Sequence, residues 1–156
     1  EKVIINTYAA ENPDFIKEAS DEFGSSTIVV SIDVRKNMFG KERTYIHSGK
    51  KQTSFDPVSF AGLMEDMGTG EIIINSIAQD GIMNGYDISL INRISEAVRI
   101  PVVALGGAGT YEDLKKAVSE GYASAVAAGS MFVFHGTRRA VLVNYPGPDE
   151  LKALFG

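Results

Sequence analysis

The sequence predicts an α/β protein built on parallel strands, and three features lead to this prediction. Short apolar segments rich in β-branched residues alternate with helix-like segments along the chain. The connections between them are short, as in right-handed strand–helix–strand crossovers. Some of the apolar segments are almost continuously hydrophobic, which is typical of strands with both faces covered. Nothing in the sequence marks a linker, so we expect one domain over residues 1–156 with a hairpin insertion near 34–54.

The first strand and the first helix are predicted within residues 3–24. Residues 3–6 form a short β-branched segment. Asn12 followed by Pro13 is typical of a helix start, with Asn as the N-cap and Pro at the first helical position. Gly24 favours the end of this helix. Four residues are expected on its buried face, namely Phe15, Ile16, Ala19 and Phe23.

Residues 27–33 predict the next strand, and the segment after it interrupts the alternation. Residues 34–41 and 44–47 are typical of two arms of a polar hairpin that turns near Phe39. We expect His47, which lies in this hairpin, to be solvated.

The rest of the chain predicts three further strand–helix units and a terminal helix. Asp56, Asp87 and Thr110 are typical N-cap residues, and Thr110 with Asp113 forms the pattern of a capping box. The predicted strands cover residues 71–76, 101–105 and 123–128, and short helices are expected at 131–134 and 149–155.

This order of elements fits two architectures. One is an open, doubly wound sheet, and the other is a segment of a (β/α)8 barrel. Five strand units are too few to close an eight-stranded barrel. In both architectures ligands bind at the carboxyl ends of the parallel strands.

Composition and charge narrow the possible function classes. The chain has 15 Lys and Arg, 20 Asp and Glu and a formal net charge of −5. This balance argues against nucleic acid or a membrane surface as the main partner, because no basic field attracts phosphodiesters. Cysteine is absent, which excludes disulfides and thiolate metal sites and fits a cytoplasmic location. The two histidines lack the spacing of metal ligands, and no Walker loop or Rossmann fingerprint occurs, so we expect neither a metal nor a cofactor.

Two glycine-rich turns after the last two predicted strands indicate an anion site. Gly106 and Gly107 follow one strand, and Gly129 and Ser130 follow the next. Glycines without a Cβ atom let backbone N–H groups approach an anion, and barrels often hold a phosphate between their last two loops. Because two such turns follow neighbouring strands, we favour a phosphate site over glycines that only form tight turns.

Polar side chains follow the other predicted strands. Asp33 ends an apolar strand, where a carboxylate is costly unless it is paired or functional. A general acid or base and a local loop cap are equally compatible with it. Asp80 precedes a glycine, as is typical of a turn. Asn75 and Ser76 are candidates for hydrogen bonds to a ligand.

A set of motifs also occurs in a fixed order along nearly the whole chain. They cover residues 3–7, 11–13, 30–33, 70–76, 80–81, 85–87, 100–104, 106–109 and 127–130. Together they resemble the cyclase subunit of imidazole glycerol phosphate synthase. The resemblance starts at the fourth strand of that family's (β/α)8 barrel and ends at the eighth, which implies an incomplete barrel.

The resemblance implies an activity in histidine synthesis. The family makes imidazole glycerol phosphate and an aminoimidazole carboxamide ribotide from a phosphoribulosyl precursor and ammonia. A glutaminase (amidotransferase) partner docked at the amino-terminal face of the barrel supplies the ammonia. Asp33 matches one of two catalytic aspartates, and Asp80 matches a further acidic position near the substrate. The second catalytic aspartate has no counterpart in this chain, so we expect the chain alone to be inactive.

Further site residues are implied by the same resemblance. Two pairs, Gly106 with Gly107 and Gly129 with Ser130, match one phosphate site, and Asn6 with Thr7 matches part of the second. Lys2 and Glu71 match charged residues around the ammonia entrance.

Departures from the family pattern leave two alternatives open. Leu105 replaces a serine beside the glycines, Ile82 replaces a hydroxyl residue, and residues 130–136 resemble a paralogous branch more closely. That branch works with another amidotransferase to aminate sugars of surface polysaccharides. The other alternative is a non-catalytic, phosphate-binding half-barrel that self-associates through its open sheet edges.

Overall fold

The computed structural model of the chain describes residues 1–136 and 139–156. Its strands are β1 (Val3–Ile5), β2 (Ile28–Lys36), β3 (Glu42–Ile46), β4 (Lys51–Gln52), β5 (Glu71–Ser76), β6 (Val102–Leu105), β7 (Ala125–Val126), β8 (Phe134–His135) and β9 (Ala140–Val141). Its helices are α1 (Thr7–Glu11), α2 (Pro13–Phe23), α3 (Pro57–Asp66), α4 (Ile88–Ala97), α5 (Tyr111–Ser119), α6 (Ser130–Val133) and α7 (Pro148–Phe155). In these described ranges, no helix has the length and apolar character needed to span a bilayer.

The parallel strands decide between the two predicted architectures. β1, β2, β5, β6 and β7 lie beside one another in their order along the chain, and all are parallel. In a doubly wound sheet the strand order reverses at a switch point, so some successive strands are not neighbours. In a barrel each parallel strand pairs with the parallel strand that precedes it in the chain. The sheet is therefore of the (β/α)-barrel type, and within the described chain the barrel is not closed.

The core lies on one side of this sheet, which we call the helix face. Side chains of α2, α3 and α4 pack there against alternate residues of β2 and β5. The largest buried members are Ile16, Ile32, Phe60, Met64, Ile72, Ile74, Leu90 and Ile94. The opposite side of the sheet, the inner face, carries Ser31, Asp33, Ile73 and Asn75 and is only partly buried. The expectation that both faces are covered is therefore wrong for the inner face of the described chain.

An antiparallel pair of strands lies in the segment where the sequence predicted a hairpin insertion. β2 does not end at Asp33 but continues to Lys36 and pairs antiparallel with β3. The side chain of Asn37 accepts hydrogen bonds from the backbone N–H groups of Phe39 and Lys41, and these bonds shape the turn. Asp33 therefore lies where the parallel sheet meets the hairpin.

His47 attaches this hairpin to α1. Its backbone N–H donates to Thr7 Oγ1 at 3.0 Å, and its Nε2 lies 3.0 Å from a carboxylate oxygen of Glu11. His47 is exposed, as expected, and it also contacts α1. This contact could not be predicted from sequence patterns, because Thr7 and His47 are 40 residues apart in the chain.

Two predictions for the first helix differ from the structure, namely the burial of Phe23 and the side-chain cap of Asn12. Phe23 is 67% exposed rather than buried, because β1 is an edge strand and no further helix of the described chain covers this end. Asn12 is the N-cap residue of α2 and Pro13 its first residue, as predicted, but the Asn12 side chain makes no capping hydrogen bond. Its amide instead donates to the hydroxyl of Tyr8 at 3.4 Å. Helix α1 and the hairpin of β8 and β9 were not predicted, whereas the capping box of Thr110 and Asp113 is confirmed.

Removing one buried ring tests the packing of the helix face. We expect Phe60→Ala to lower the free energy of unfolding by about 3–5 kcal/mol, because it leaves a cavity among fully buried side chains. Phe39→Ala is the matched control, since that ring is 86% exposed, and it should change the value by less than about 0.5 kcal/mol. Urea unfolding followed by circular dichroism measures both. Equal effects of the two variants would contradict this assignment of the core.

Candidate functional site

Strand register brings the two main candidate side chains together on the inner face. Asp33 of β2 lies opposite Asn75 of β5, and Asn75 lies opposite Leu105 of β6. The amide Nδ2 of Asn75 donates to Asp33 Oδ1 at 2.9 Å. Asp33 is only 9% exposed, so this bond is the main polar contact of a nearly buried carboxyl group.

Burial controls the protonation of Asp33. Loss of hydration raises the pKa of its carboxyl group above the ordinary value, and this effect exceeds the opposing effect of hydrogen bonds from Asn75 and Asn6. The negative charge of Asp80 raises the pKa further. Asp80 is therefore close enough to Asp33 for its charge to be felt there.

Asn75 also carries an unused acceptor. Its Oδ1 is buried and has no hydrogen-bond partner among the described residues. The oxygen points at Gly106, where an added Cβ atom would lie only 2.6 Å from it. Since a buried acceptor without a partner is costly, a donor group of a ligand or a water molecule would stabilise this position.

The loop after β5 brings Asp80 and Ser130 towards the same region. The carbonyl of Ser76 accepts hydrogen bonds from the backbone N–H groups of Gln79 and Asp80, which form a tight turn. Gly81 follows in the left-handed region, and a Cβ atom there would lie 3.8 Å from Ser130 Oγ. The predicted acidic and phosphate-binding loops are thus neighbours.

The structure requires glycine in one of the two predicted phosphate loops but not in the other. Gly106 and Gly107 both have positive φ, and a Cβ on Gly107 would collide with the carbonyl of Gly85 at 2.2 Å. Tight packing between loops alone therefore requires glycine at both positions. Gly129 has a φ of −107°, and a Cβ there would meet nothing within 4 Å. Packing therefore does not explain why residue 129 is a glycine, and its backbone is open to solvent or a ligand.

Tyr86 is a positioning residue that sequence reasoning missed. Its hydroxyl donates to the carbonyl of Ala127 at 2.8 Å and so connects the loop after β5 to the end of β7. Burial raises the pKa of this phenol, so it stays a neutral donor. The motif of residues 85–87 was noticed only as part of the family resemblance, because its bonding partner lies 41 residues away.

Three other candidate residues are engaged in contacts within the chain. The amide of Asn6 donates to the carbonyl of Ser31 at 3.0 Å. The hydroxyl of Thr7 accepts the N–H of His47, as described above. Ser76 follows Asn75 in β5 and so points to the helix face, where it is only 7% exposed. The structure therefore places Asn6 beside Asp33, whereas Ser76 lies on the other side of the sheet.

Lys2 and Glu71 form a charged pair at the opposite, amino-terminal end of the strands. Lys2 Nζ lies 2.7 Å from Glu71 Oε2. Glu71 shares the inner face with Asn75, four residues along β5, which corresponds to about 13 Å. Between them the inner face presents Ser31, Ile73 and Val103. Within the described ranges no cluster of three His, Asp or Glu residues has the arrangement of a metal site.

Comparison with known proteins decides the family. The profile of the family described as "Histidine biosynthesis protein" matches residues 1–138. This chain belongs to that family. Three relatives carry provisional names as imidazole glycerol phosphate synthase subunits. The subunit hisF2 of Pseudomonas aeruginosa is 43% identical over 151 residues, and hisF3 of Vibrio vulnificus is 39% identical over 153 residues. A subunit named HisF from Leptospira interrogans is 37% identical over 156 residues.

The chain spans about three fifths of the length of these relatives. The alignments cover 97%, 97% and 99% of this chain but 60%, 59% and 61% of the respective relatives. The resemblance to imidazole glycerol phosphate synthase cyclase subunits that the motifs predicted is confirmed.

Neutralising Asp33 tests its buried environment. Its raised pKa means that the folded protein binds this proton more tightly than the unfolded chain does, so Asp33 favours folding at low pH and opposes it as pH rises through the folded-state pKa. We therefore expect Asp33→Asn to raise the free energy of unfolding at pH 7. The gain should vanish near pH 3, below the pKa of an unfolded aspartate.

Urea unfolding at both pH values measures this difference. Asp21→Asn is the control, because Asp21 is exposed and pairs with Lys17 at 3.2 Å on the surface. Its effect should be a loss of no more than about 0.5 kcal/mol. If Asp33→Asn were less stable than the unmodified chain at pH 7, the assigned environment would be wrong.

Proposed function

We propose that this chain forms part of an ammonia-dependent cyclase that makes imidazole glycerol phosphate in histidine synthesis. The observation that carries the proposal is the Asp33–Asn75 hydrogen bond, which faces Asp80 at the carboxyl ends of the parallel strands. The names of the relatives and the family support the same activity. Such a metabolic role fits a cytoplasmic protein.

Asp33 is the proposed proton donor and acceptor. A carboxyl group with a raised pKa holds and releases a proton closer to neutral pH than an exposed aspartate does, which suits general acid–base catalysis. The amide of Asn75 orients one carboxylate oxygen and leaves the other to face the substrate. Asp80, on a loop after β5, is the proposed second carboxylate near the reacting atoms.

Two phosphate sites are proposed on either side of this centre. Gly106, Gly107, Gly129 and Ser130 lie at the ends of β6 and β7, whereas Asn6 and Thr7 lie at the end of β1. The outer strands β1 and β7 are four strand spacings apart, or about 19 Å measured along the sheet. An elongated substrate with a phosphate at each end fits this layout, with its reactive middle over Asp33.

The ammonia is proposed to come from a glutaminase partner at the amino-terminal ends of the strands. Lys2 and Glu71 form the charged rim there. The inner face between this rim and Asp33 is mostly small or apolar, with Ser31, Ile73 and Val103. Ammonia crosses such a surface as a neutral molecule, while the charged ammonium ion would lose hydration.

Binding without turnover is the expected behaviour of this chain alone. We expect it to bind the phosphoribulosyl precursor and to show no cyclisation with ammonium chloride, because the family's second catalytic aspartate has no counterpart here. Ser130→Ala should weaken binding about threefold to tenfold by loss of one hydrogen bond. Ser124→Ala is the control, since Ser124 is exposed before β7, away from the loops.

Calorimetric titration measures binding, and chromatography of the products measures turnover. Absence of precursor binding would contradict the proposed function. Measurable turnover by the chain alone would contradict the need for the missing aspartate.

One observation favours the sugar-amidating branch as a second candidate. Leu105 lies on the inner face opposite Asn75, where the cyclase pattern has a serine, so an apolar side chain replaces a phosphate donor. A substrate with only one phosphate needs fewer donors at this place. Tighter binding of a monophosphorylated sugar than of the bisphosphorylated precursor would favour this candidate.

Self-association is the third proposal and follows from the uncovered edge. Val3 and Ile4 of the edge strand β1 are 55% and 60% exposed. We expect the purified chain to form oligomers that hide these residues, and Ile4→Glu to shift it towards monomer. Light scattering after size-exclusion chromatography measures the mass. A clean monomer of the unmodified chain would contradict the proposal.

A further inference from the structure

The hairpin of β8 and β9 places an arginine beside the loop that carries Asp80. A guanidinium N–H of Arg139 donates to the carbonyl of Gly81. Gly81 is also the residue that faces Ser130 Oγ across the predicted phosphate loop. One residue of the Asp80 loop therefore adjoins both Arg139 and Ser130.

Turn chemistry does not explain an arginine at this position. Arg139 has a φ of 49°, in the left-handed region that favours glycine or asparagine. A residue with a long side chain persists in such a conformation when other interactions compensate for it. The side chain, rather than the backbone, is thus the reason to have arginine here.

The contacts with the described residues leave most of the guanidinium's hydrogen-bonding capacity unused. Arginine carries five N–H donors, and the bond to Gly81 uses one of its terminal nitrogens. Its charged centre lies 5.8 Å from the centroid of the Phe134 ring, so this ring covers one face of the guanidinium group. Among the described residues no carboxylate lies within 4 Å of it, so no acidic side chain in those ranges neutralises its charge.

We propose that Arg139 is an anion-binding residue that contacts a phosphate group held at Gly129 and Ser130. The inference rests on the phosphate site of the proposed function and adds its cationic component. It accounts for Leu105, because a guanidinium group that approaches from the hairpin replaces the donor lost at that strand. The ligand class is a phosphomonoester dianion, for which planar, bidentate donors are well suited.

Replacing Arg139 should change thermal stability and phosphate affinity in different ways, and this difference separates a binding role from a structural one. Arg139→Gly relieves the left-handed backbone, so thermal unfolding should occur at the same or a higher temperature. The same variant should bind inorganic phosphate about tenfold more weakly, because it loses a charge-assisted hydrogen bond. Arg139→Gln should also lose about tenfold, and Arg139→Lys should stay within about threefold.

Titration of the full chain with inorganic phosphate, followed by amide signals of Gly81, Gly129 and Ser130, measures these affinities. Arg99→Gln is the control for net charge, because Arg99 is exposed before β6, at the other end of the strands, and it should leave affinity unchanged. Unchanged affinity in Arg139→Gly and Arg139→Gln would overturn the inference while leaving the phosphate site intact. Loss in Arg139→Gly alone would also overturn it, as a backbone effect. Absence of phosphate binding by the unmodified chain would overturn the phosphate site itself and this inference with it.

Discussion

The hydrogen bond between Asn75 and Asp33 depends on one constraint, the in-register pairing of parallel strands whose helices cover a single face. Because β2, β5 and β6 are aligned residue by residue, Asp33, Asn75 and Leu105 form one row across the inner face. A shift of one residue in either pairing would turn one of these side chains into the apolar core. The core on the helix face therefore determines the register, and the register brings Asp33 and Asn75 into contact.

A second level of organisation comes from the loop between β5 and α4. It contacts three neighbours, through Gly85 to the carbonyl of Gly107, through Tyr86 to Ala127 and through Gly81 to Arg139. These contacts connect the carboxyl ends of β5, β6 and β7 with the β8–β9 hairpin. Asp80 lies within this loop, so its position relative to Ser130 follows from bonds that its own neighbours make.

The same features carry a cost in stability. A nearly buried carboxyl group with a raised pKa opposes folding at neutral pH, the buried Oδ1 of Asn75 has no partner in the described chain, and Arg139 has a left-handed backbone. Each is unfavourable in the free protein and each lies at the carboxyl ends of the strands. Functional sites commonly concentrate such compromises, because the ligand supplies the missing interactions.

The sequence by itself determined the order of the five parallel strands and of the main helices, but not α1 or the β8–β9 hairpin. It also determined the presence of Asp33, Asn75 and the two glycine-rich turns at the strand ends. These features are local, since they follow from hydrophobic periodicity, capping residues and turn residues within a few positions. Only the tertiary structure showed that the parallel strands lie side by side in chain order, that the inner face is open in the described part of the chain, and that Ser76 points away from Asn75. It alone showed the contacts of His47, Tyr86 and Arg139, whose partners lie 40, 41 and 58 residues away in the chain. Such contacts depend on which loops the strand order brings together, and no short segment of sequence carries that information.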